Sequence, residues 1–544
     1  MSKRYLPILL LLFLVVGSVP ISLPVRAQTN GWSAPIELGG GWFPDLATGP
    51  DGSVHVIWHA GRSWPIESRG DLAGTGPDSA APDNAAPDNA APAGAGEDAV
   101  PLQDRRDALI YRDFRDGGWS PENELFTAGF GVSGLTVRNS IVMGRDGRLH
   151  ILFRNGFGID YFHAPWERAW SAAAWSPSYT MSTGSAYYNA MTVDSSGRLH
   201  ALYTQTIVDD PTAPRQVCPD CAQLFYRHSG DVEKVWSWPI NLSRDFEGAN
   251  RPQIKIDQRD RVHVVWDEGF DWYAGEGEPL FGVYRRSDDG GQTWNAPVPV
   301  GVAEEGVLQT TLALTAEGNP FLVYRGANSR QLYYQFAIDD VNWSVPGTIP
   351  GVVAREYEFD NQLDVYSMVT DSAGVIHLLM GGYLEGDLDD NLGLFHLTWN
   401  GTTWSAPEVV FSNERKPEWP RLALTNGNQL HAVWFSRIDI FSTEDTRVHY
   451  SSRALNTAAV AAPAFFTPTP ESVPTATVPP VVPTPMPTIA PALLSAPIPE
   501  SEPEWEGPGL TTIGIALTPL VSMLMIYGGL TWHKRRRKEE RLRR

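Results

Sequence analysis

The chain is 544 residues long with a formal net charge of −21, and it contains 20 Trp, 50 Gly and 44 Pro but only two Cys. Such acidity excludes nucleic acid and other polyanions as partners of the main body. Tryptophan, glycine and proline in these numbers suit many short strands joined by turns, so the expected class is all-β.

In chain order, Lys3 and Arg4 precede the apolar run LPILLLLFLVV, and Val25-Arg26-Ala27 offers a small-x-small cleavage site. Residues 1–27 therefore read as a secretory signal peptide, with Gln28 as the mature start. Three series of repeats follow, and each counts seven. Trp-centred tetrapeptides stand at Trp32, Trp119, Trp175, Trp236, Trp294, Trp343 and Trp404. Paired apolar runs around a turn come next, from DLATGPDGSVHVIW to RLALTNGNQLHAVW, and then single strands that end in an aromatic, from LIYRDF to VHYSSR. Each unit is thus four short strands with a tight turn between the first two. A four-stranded unit repeated about an axis is a propeller blade. The expected fold is a seven-bladed β-propeller of four-stranded blades over residues 28–456. The chain enters on the strand at Trp32 and leaves on VHYSSR, so its first strand is expected to complete the last blade and remove an open sheet edge.

Residues 62–107 carry the acidic Pro/Ala/Asp tract PDSAAPDNAAPDNAAPAGAGEDA, too poor in apolar residues for a core, and read as a disordered insertion in the first blade. Cys218-Pro-Asp-Cys221 reads as a small loop-closing disulfide in an exported chain. A redox pair or half of a zinc site are the alternatives, and two thiols without a second pair or nearby histidines cannot close a tetrahedral shell. Residues 457–509 are a Pro/Thr-rich stalk, expected to be disordered and extended. Residues 510–532 carry no charge and are long enough for one transmembrane helix, and the basic tail 533–544 belongs in the cytoplasm. The expected arrangement is a single-pass protein of the cell membrane, its ring outside and monomeric.

One stretch is more specific. SDDGGQTW, residues 287–294, fits S-x-D-x-G-x-T-W through Ser287, Asp289, Gly291, Thr293 and Trp294. Its physical reading is a strand-to-strand turn in which Ser and Asp bond turn amides, Gly takes a positive φ and Trp anchors the next strand. It resembles the Asp box of the sialidase-like (BNR repeat) β-propellers. In that family the enzymes are six-bladed, hold a sugar carboxylate with three arginines, and use a Tyr activated by Glu with an Asp as acid/base. The resemblance would give such roles to Arg138, Arg251 and Arg421 and to Tyr357, Glu358 and Asp245. The family's F/Y-R-I-P motif has no counterpart, since the first blade reads WFPDLA.

Turns between first and second strands are short (PDG, RDG, SSG, AEG, SAG), whereas the loops on the opposite side are long, aromatic and acidic, which marks that side as the binding face. The Asp box falls on the short-turn side and reads as a structural staple. His55, His150, His200, His263, His377 and His431 recur at one strand position and read as packing residues, with no metal site among them. At the start of the innermost strands, Trp42, Asn139, Asn189, Tyr366 and Trp419 are the candidate ligand-binding residues, beside Phe43, Arg251 and Thr310. Aromatic faces there suit the C–H side of a pyranose. Asp387, Asp389 and Asp390 match the oxygen ligands of Ca²⁺ but show no loop signature, and no cofactor is expected. Glycan or envelope-protein binding without evident catalysis is the leading expectation. An exo-acting sialidase-type glycoside hydrolase and an envelope scaffold are the alternatives.

Overall fold

A computed structural model describes residues 31–466, apart from 64–104, 130–137, 156–157, 183, 185, 207–221, 231–235, 244–247, 272–275, 303–304, 341, 357–364, 388–391 and 440–444. Within it the chain forms seven antiparallel sheets, each with four main strands, arranged as a propeller. Blade one runs Trp42–Thr48, Val54–Ser63, Arg105–Arg115 and Asn123–Gly129 from the centre outward. The innermost strands of blades two to seven begin at Ser140, Ala186, Ala249, Val307, Tyr366 and Lys416. Strand length varies more than the repeats suggest. Outer strands shrink to two residues, such as Ile240–Asn241, while the third strand of blade four, Glu276–Ser287, has twelve and carries its hairpin beyond the ring.

The ring closes as its phase requires. Ile36–Gly40 pairs with Arg447–Ala454 as the outer strand of blade seven, with Ile36 opposite Tyr450 and Trp32 bridging Arg453. Ser33 adds a backbone bond to Ser452 O at 2.8 Å. Every blade therefore has two neighbours, and no blade presents an open face to water.

Packing between blades follows from the three repeated residues. The recurring histidine places Nδ1 against a tyrosine hydroxyl on the third strand, at 2.7 Å for His55–Tyr111, 2.8 Å for His150–Tyr161, 2.7 Å for His200–Tyr226, 2.8 Å for His263–Tyr284 and 2.8 Å for His431–Tyr450. In blade six His396 replaces the tyrosine and meets His377 at 3.0 Å. The tetrapeptide tryptophan of the following blade then packs edge-on against that ring, at 5.1 Å for Trp236–Tyr161, 4.9 Å for Trp294–Tyr226, 5.1 Å for Trp343–Tyr284 and 4.9 Å for Trp119–Tyr450. Edge-to-face aromatic contacts of this kind add to the area that they bury.

At the channel wall a side chain of one inner strand accepts the backbone N–H of the next. Asp45 Oδ2 accepts from Ile141 at 3.0 Å, Ser140 Oγ from Met191 at 3.2 Å, Gln253 Oε1 from Leu312 at 3.0 Å and Ser367 Oγ from Leu422 at 3.0 Å.

The Asp box joins the third and fourth strands of blade four, on the short-turn side. Asp289 accepts from the backbone of Gln292 and Thr293 at 3.0 and 2.8 Å and from the Thr293 hydroxyl at 2.5 Å, and these bonds hold its carboxyl down at about 2. Gly291 has φ +91°, and a Cβ there would stand 1.8 Å from Tyr226 Oη. The glycine is therefore required by the close approach of blade three as well as by the turn.

Past the last strand the chain does not leave the ring at 457. Ser372 Oγ donates to Ala458 O at 2.5 Å, Val460 N to Asn426 O at 2.8 Å and Phe466 N to Arg145 O at 2.7 Å, so residues 455–466 cross the short-turn mouth of the channel from blade seven to blade two. Together with the ring they bound a cavity of about 590 Å³ lined by Met143, Val193, Ile256 and Leu424. The strands flanking the first-blade insertion reach Ser63 and restart at Arg105, narrowing the segment between them to 64–104, outside the described residues. Residues 1–30, Cys218, Cys221 and everything from 467, including 510–532, also lie outside them. Among the described residues no helix is long and apolar enough to cross a membrane.

Candidate functional site

The opposite mouth of the channel differs in its backbone. Phe43, Arg138, Arg251, Gln309 and Trp419 have φ of +53°, +55°, +47°, +59° and +53°. None is glycine, and left-handed backbone at a residue with a Cβ costs on the order of 1–2 kcal/mol. The strand register slips at the same places, between Trp42 and Asp45, Asn250 and Gln253, Leu308 and Thr311, and Glu418 and Arg421. A bulge has two residues facing one and re-aims the side chain between them. The same device at the same depth of several blades turns large polar and aromatic groups toward one end of the channel.

These groups form a floor. Phe43 and Trp419 meet edge-on at 4.9 Å, and both belong to one apolar cluster with Tyr188 of blade three and Val365 before blade six. The Arg138 guanidinium lies 3.9 Å from the Tyr187 ring centre, 4.8 Å from that of Tyr188 and 5.0 Å from that of Phe43. Asn189 Nδ2 donates to Arg138 O, and Arg421 lies 4.5 Å over Trp419. Blades one, two, three and seven thus converge across the axis, and cation–π contact adds to their packing.

The other charges near the floor are paired. Asp267 takes Arg251 at 3.2 Å and the backbone N–H groups of Gln309 and Thr310 at 2.7 and 2.9 Å. Burial pushes its carboxyl up and Arg251 pulls it back. Glu418 lies between Arg355 at 2.8 Å and Arg437 at 2.7 Å. Arg421 stands 3.7 Å from Asp45, whose carboxyl burial also raises against the pull of that guanidinium.

Several uncharged groups at this mouth have no partner among the described residues. Asn139 and Gln309 are 4% and 2% exposed, yet among the described residues neither the nitrogen nor the oxygen of either amide has a hydrogen-bond partner. The same holds for Tyr188 Oη, Asn189 Oδ1 and Trp419 Nε1. Buried polar groups in folded proteins are almost always satisfied, and while orphan indole N–H groups also occur on the short-turn side, the orphan side-chain amide atoms among the described residues all belong to this mouth.

The expected site residues divide. Arg138, Arg251, Arg421, Asn139, Asn189, Tyr366 and Trp419 lie at this mouth, with Trp42 beside it against His59 at 5.7 Å. Tyr366, Trp419 and Tyr188 are buried, leaving Trp42 and Tyr187 as the half-exposed rings. The positive-φ residues of blades two and five are Arg138 and Gln309, each one position before Asn139 and Thr310. Tyr357, Glu358, Asp245, Asp389 and Asp390 fall outside the described residues, and Asp387 is described and exposed. Two residues were missed altogether. Gln309 is one; Asp107 is the other, a buried carboxyl 3.7 Å from His59 that burial raises to about 7, while burial lowers His59 to about 3. Asp107 ends the low-complexity insertion, which hides its strand position from any repeat count.

No protein-family model matches the chain, and no curated protein matches it. Among solved structures, a protein of unknown function from Dyadobacter fermentans aligns with 78% of this chain and 100% of its own, at 12% identity and a TM-score of 0.44. A polysaccharide lyase, an ulvan lyase bound to a sulfated glucuronate–rhamnose fragment, aligns over 77% and 94% at 12% identity and 0.45. The NanB sialidase of Streptococcus pneumoniae aligns over 78% and 94% at 9% identity and 0.42. At such identities and scores no residue role passes from these proteins to this chain.

Proposed function

We propose that the ring is a glycan-binding module whose site is the bulged, long-loop mouth of the channel. The observation that carries this reading is the set of buried amide, hydroxyl and indole groups without partners beside half-exposed aromatic rings. Amides and hydroxyls match sugar hydroxyls, and Trp42 offers a partly exposed ring for a pyranose, whereas the Tyr187 ring carries Arg138 and Arg154. The leader and the uncharged stretch 510–532 support placing this ring outside the cell on a single membrane tether. Full-length protein on a glycan array tests the reading: binding that Asn139→Ala and Trp42→Ala leave untouched would refute this location.

A second reading, glycoside cleavage, is favoured by Asp107 alone, a buried carboxyl 3.7 Å from His59 that burial raises, the direction a general acid needs. A panel of fluorogenic glycosides decides it. Turnover that Asp107→Asn abolishes, with binding retained, would establish the enzyme.

A further inference from the structure

We infer that the ligand of this mouth is an uncharged, hydroxyl-rich saccharide and not a carboxylated or sulfated one, an inference that rests on reading the mouth as a glycan site. Three independent features point the same way.

Binding an acidic sugar calls for guanidinium forks that can be offered to it. Here Arg251 is held by Asp267 at 3.2 Å, Arg355 and Arg437 share Glu418 at 2.8 and 2.7 Å, and Arg421 faces Asp45 at 3.7 Å. Arg138 is stacked among three aromatic rings. Taking any paired arginine for a ligand carboxylate would strand a buried carboxylate of the protein, which costs several kcal/mol.

The groups that do await partners are of the opposite kind. Asn139 and Gln309 each present an unused donor and an unused acceptor, Tyr188 a hydroxyl and Trp419 an N–H. A sugar hydroxyl also donates and accepts, so an amide can engage a vicinal pair of hydroxyls on both its atoms. The carboxylate or sulfate of an acidic sugar accepts only, so that group cannot answer the amide oxygens, and set against them it would leave both unsatisfied in a buried site.

The field around the mouth opposes anions as well. On the long loops of this side Glu385, Asp387 and Glu414 stand exposed and add negative charge to the rim. Lys255 stands four residues along the inner strand from Arg251, where its charge acts on Asp45. Such a rim repels acidic sugars and is indifferent to neutral ones.

The test uses the full-length chain in detergent on an array of neutral oligosaccharides with their sialylated, uronate-bearing and sulfated counterparts, read at about 50 mM and about 500 mM salt. The expected result is selective capture of neutral glycans, unchanged by salt. Asn139→Ala and Gln309→Ala should each weaken it roughly tenfold, with the thermal midpoint retained. If one variant does not fold, the other and the salt series on the unmodified chain still decide. Preference for acidic glycans that fades with salt overturns this inference and leaves the glycan reading standing. Failure to capture any glycan at either salt overturns both.

Discussion

The two mouths of the channel are built from the same strands by opposite rules. On the short-turn side the recurrent histidines are answered by tyrosine, Asp289 by turn amides, and residues 458–466 by Ser372, Asn426 and Arg145, while the indole N–H groups of Trp32, Trp119, Trp236, Trp294 and Trp404 have no hydrogen-bond partner among the described residues. On the long-loop side the backbone enters the left-handed region at Phe43, Arg138, Arg251, Gln309 and Trp419, and amides stay without partners. Repetition thus holds the ring together at one end, and departure from repetition equips it at the other. Left-handed backbone also occurs in the short turns, at Asp116, Asp260 and Asn426, where Asp and Asn tolerate it; at the long-loop mouth it falls on Phe, Arg, Gln and Trp, which do not, and lowers stability.

Acid should test this contrast most severely. Burial lowers His55, His377 and His431 from 6.5 to about 4, so the folded ring keeps them neutral where the unfolded chain would protonate them. Their stabilising effect is fully present above pH 6.5 and is lost as pH falls toward 4, at up to about 1.4 kcal/mol per pH unit for each. Asp107, raised to about 7, acts in the opposite sense as one group against these three together with His59 and His449, which burial also lowers. The thermal midpoint should therefore drop steeply between pH 6.5 and 4.5; a flat profile would mean that the staples do not hold the short-turn side.

Glu418→Ala comes next, because it leaves Arg355 and Arg437 buried without their anion and should cost roughly 3–5 kcal/mol in urea unfolding. A loss below about 1 kcal/mol would show that these arginines are available to a ligand. Gly291→Ala forces a Cβ against Tyr226 Oη at a left-handed φ and should cost about 2–4 kcal/mol while glycan binding at the far mouth is unaffected in the folded fraction. The smallest effect sharpens the contrast most. Gln309→Gly relieves a positive φ and removes a buried unsatisfied amide, so it should raise stability by about 1 kcal/mol and weaken binding together. A variant that is less stable than the parent would mean that Gln309 serves packing.

The seven blades, the closure through the strand after Trp32 and the short-turn placement of the Asp box were legible because each rests on residues spaced by strand length: Trp, then His, then Tyr. The site was legible only by region. A period-two pattern assigns one residue to each rung, and a bulge spends two on one, so Thr310 stands where the pattern leads while Gln309 takes the special backbone, as Arg138 does beside Asn139. Nor could spacing show that Arg251 and Arg421 are spoken for, since Asp267 and Asp45 reach them from a different strand and a different blade. The Pro/Thr composition after 456 likewise concealed that its first ten residues are anchored on the ring.

That anchorage has a mechanical consequence. Tension applied through the C-terminal segment first meets the backbone bonds at Phe466 and Val460, on blades two and seven, before it can reach the outer rungs where Trp32 and Ile36 fasten the circle. A pull from that direction would peel away a short sacrificial band before it loaded the seam.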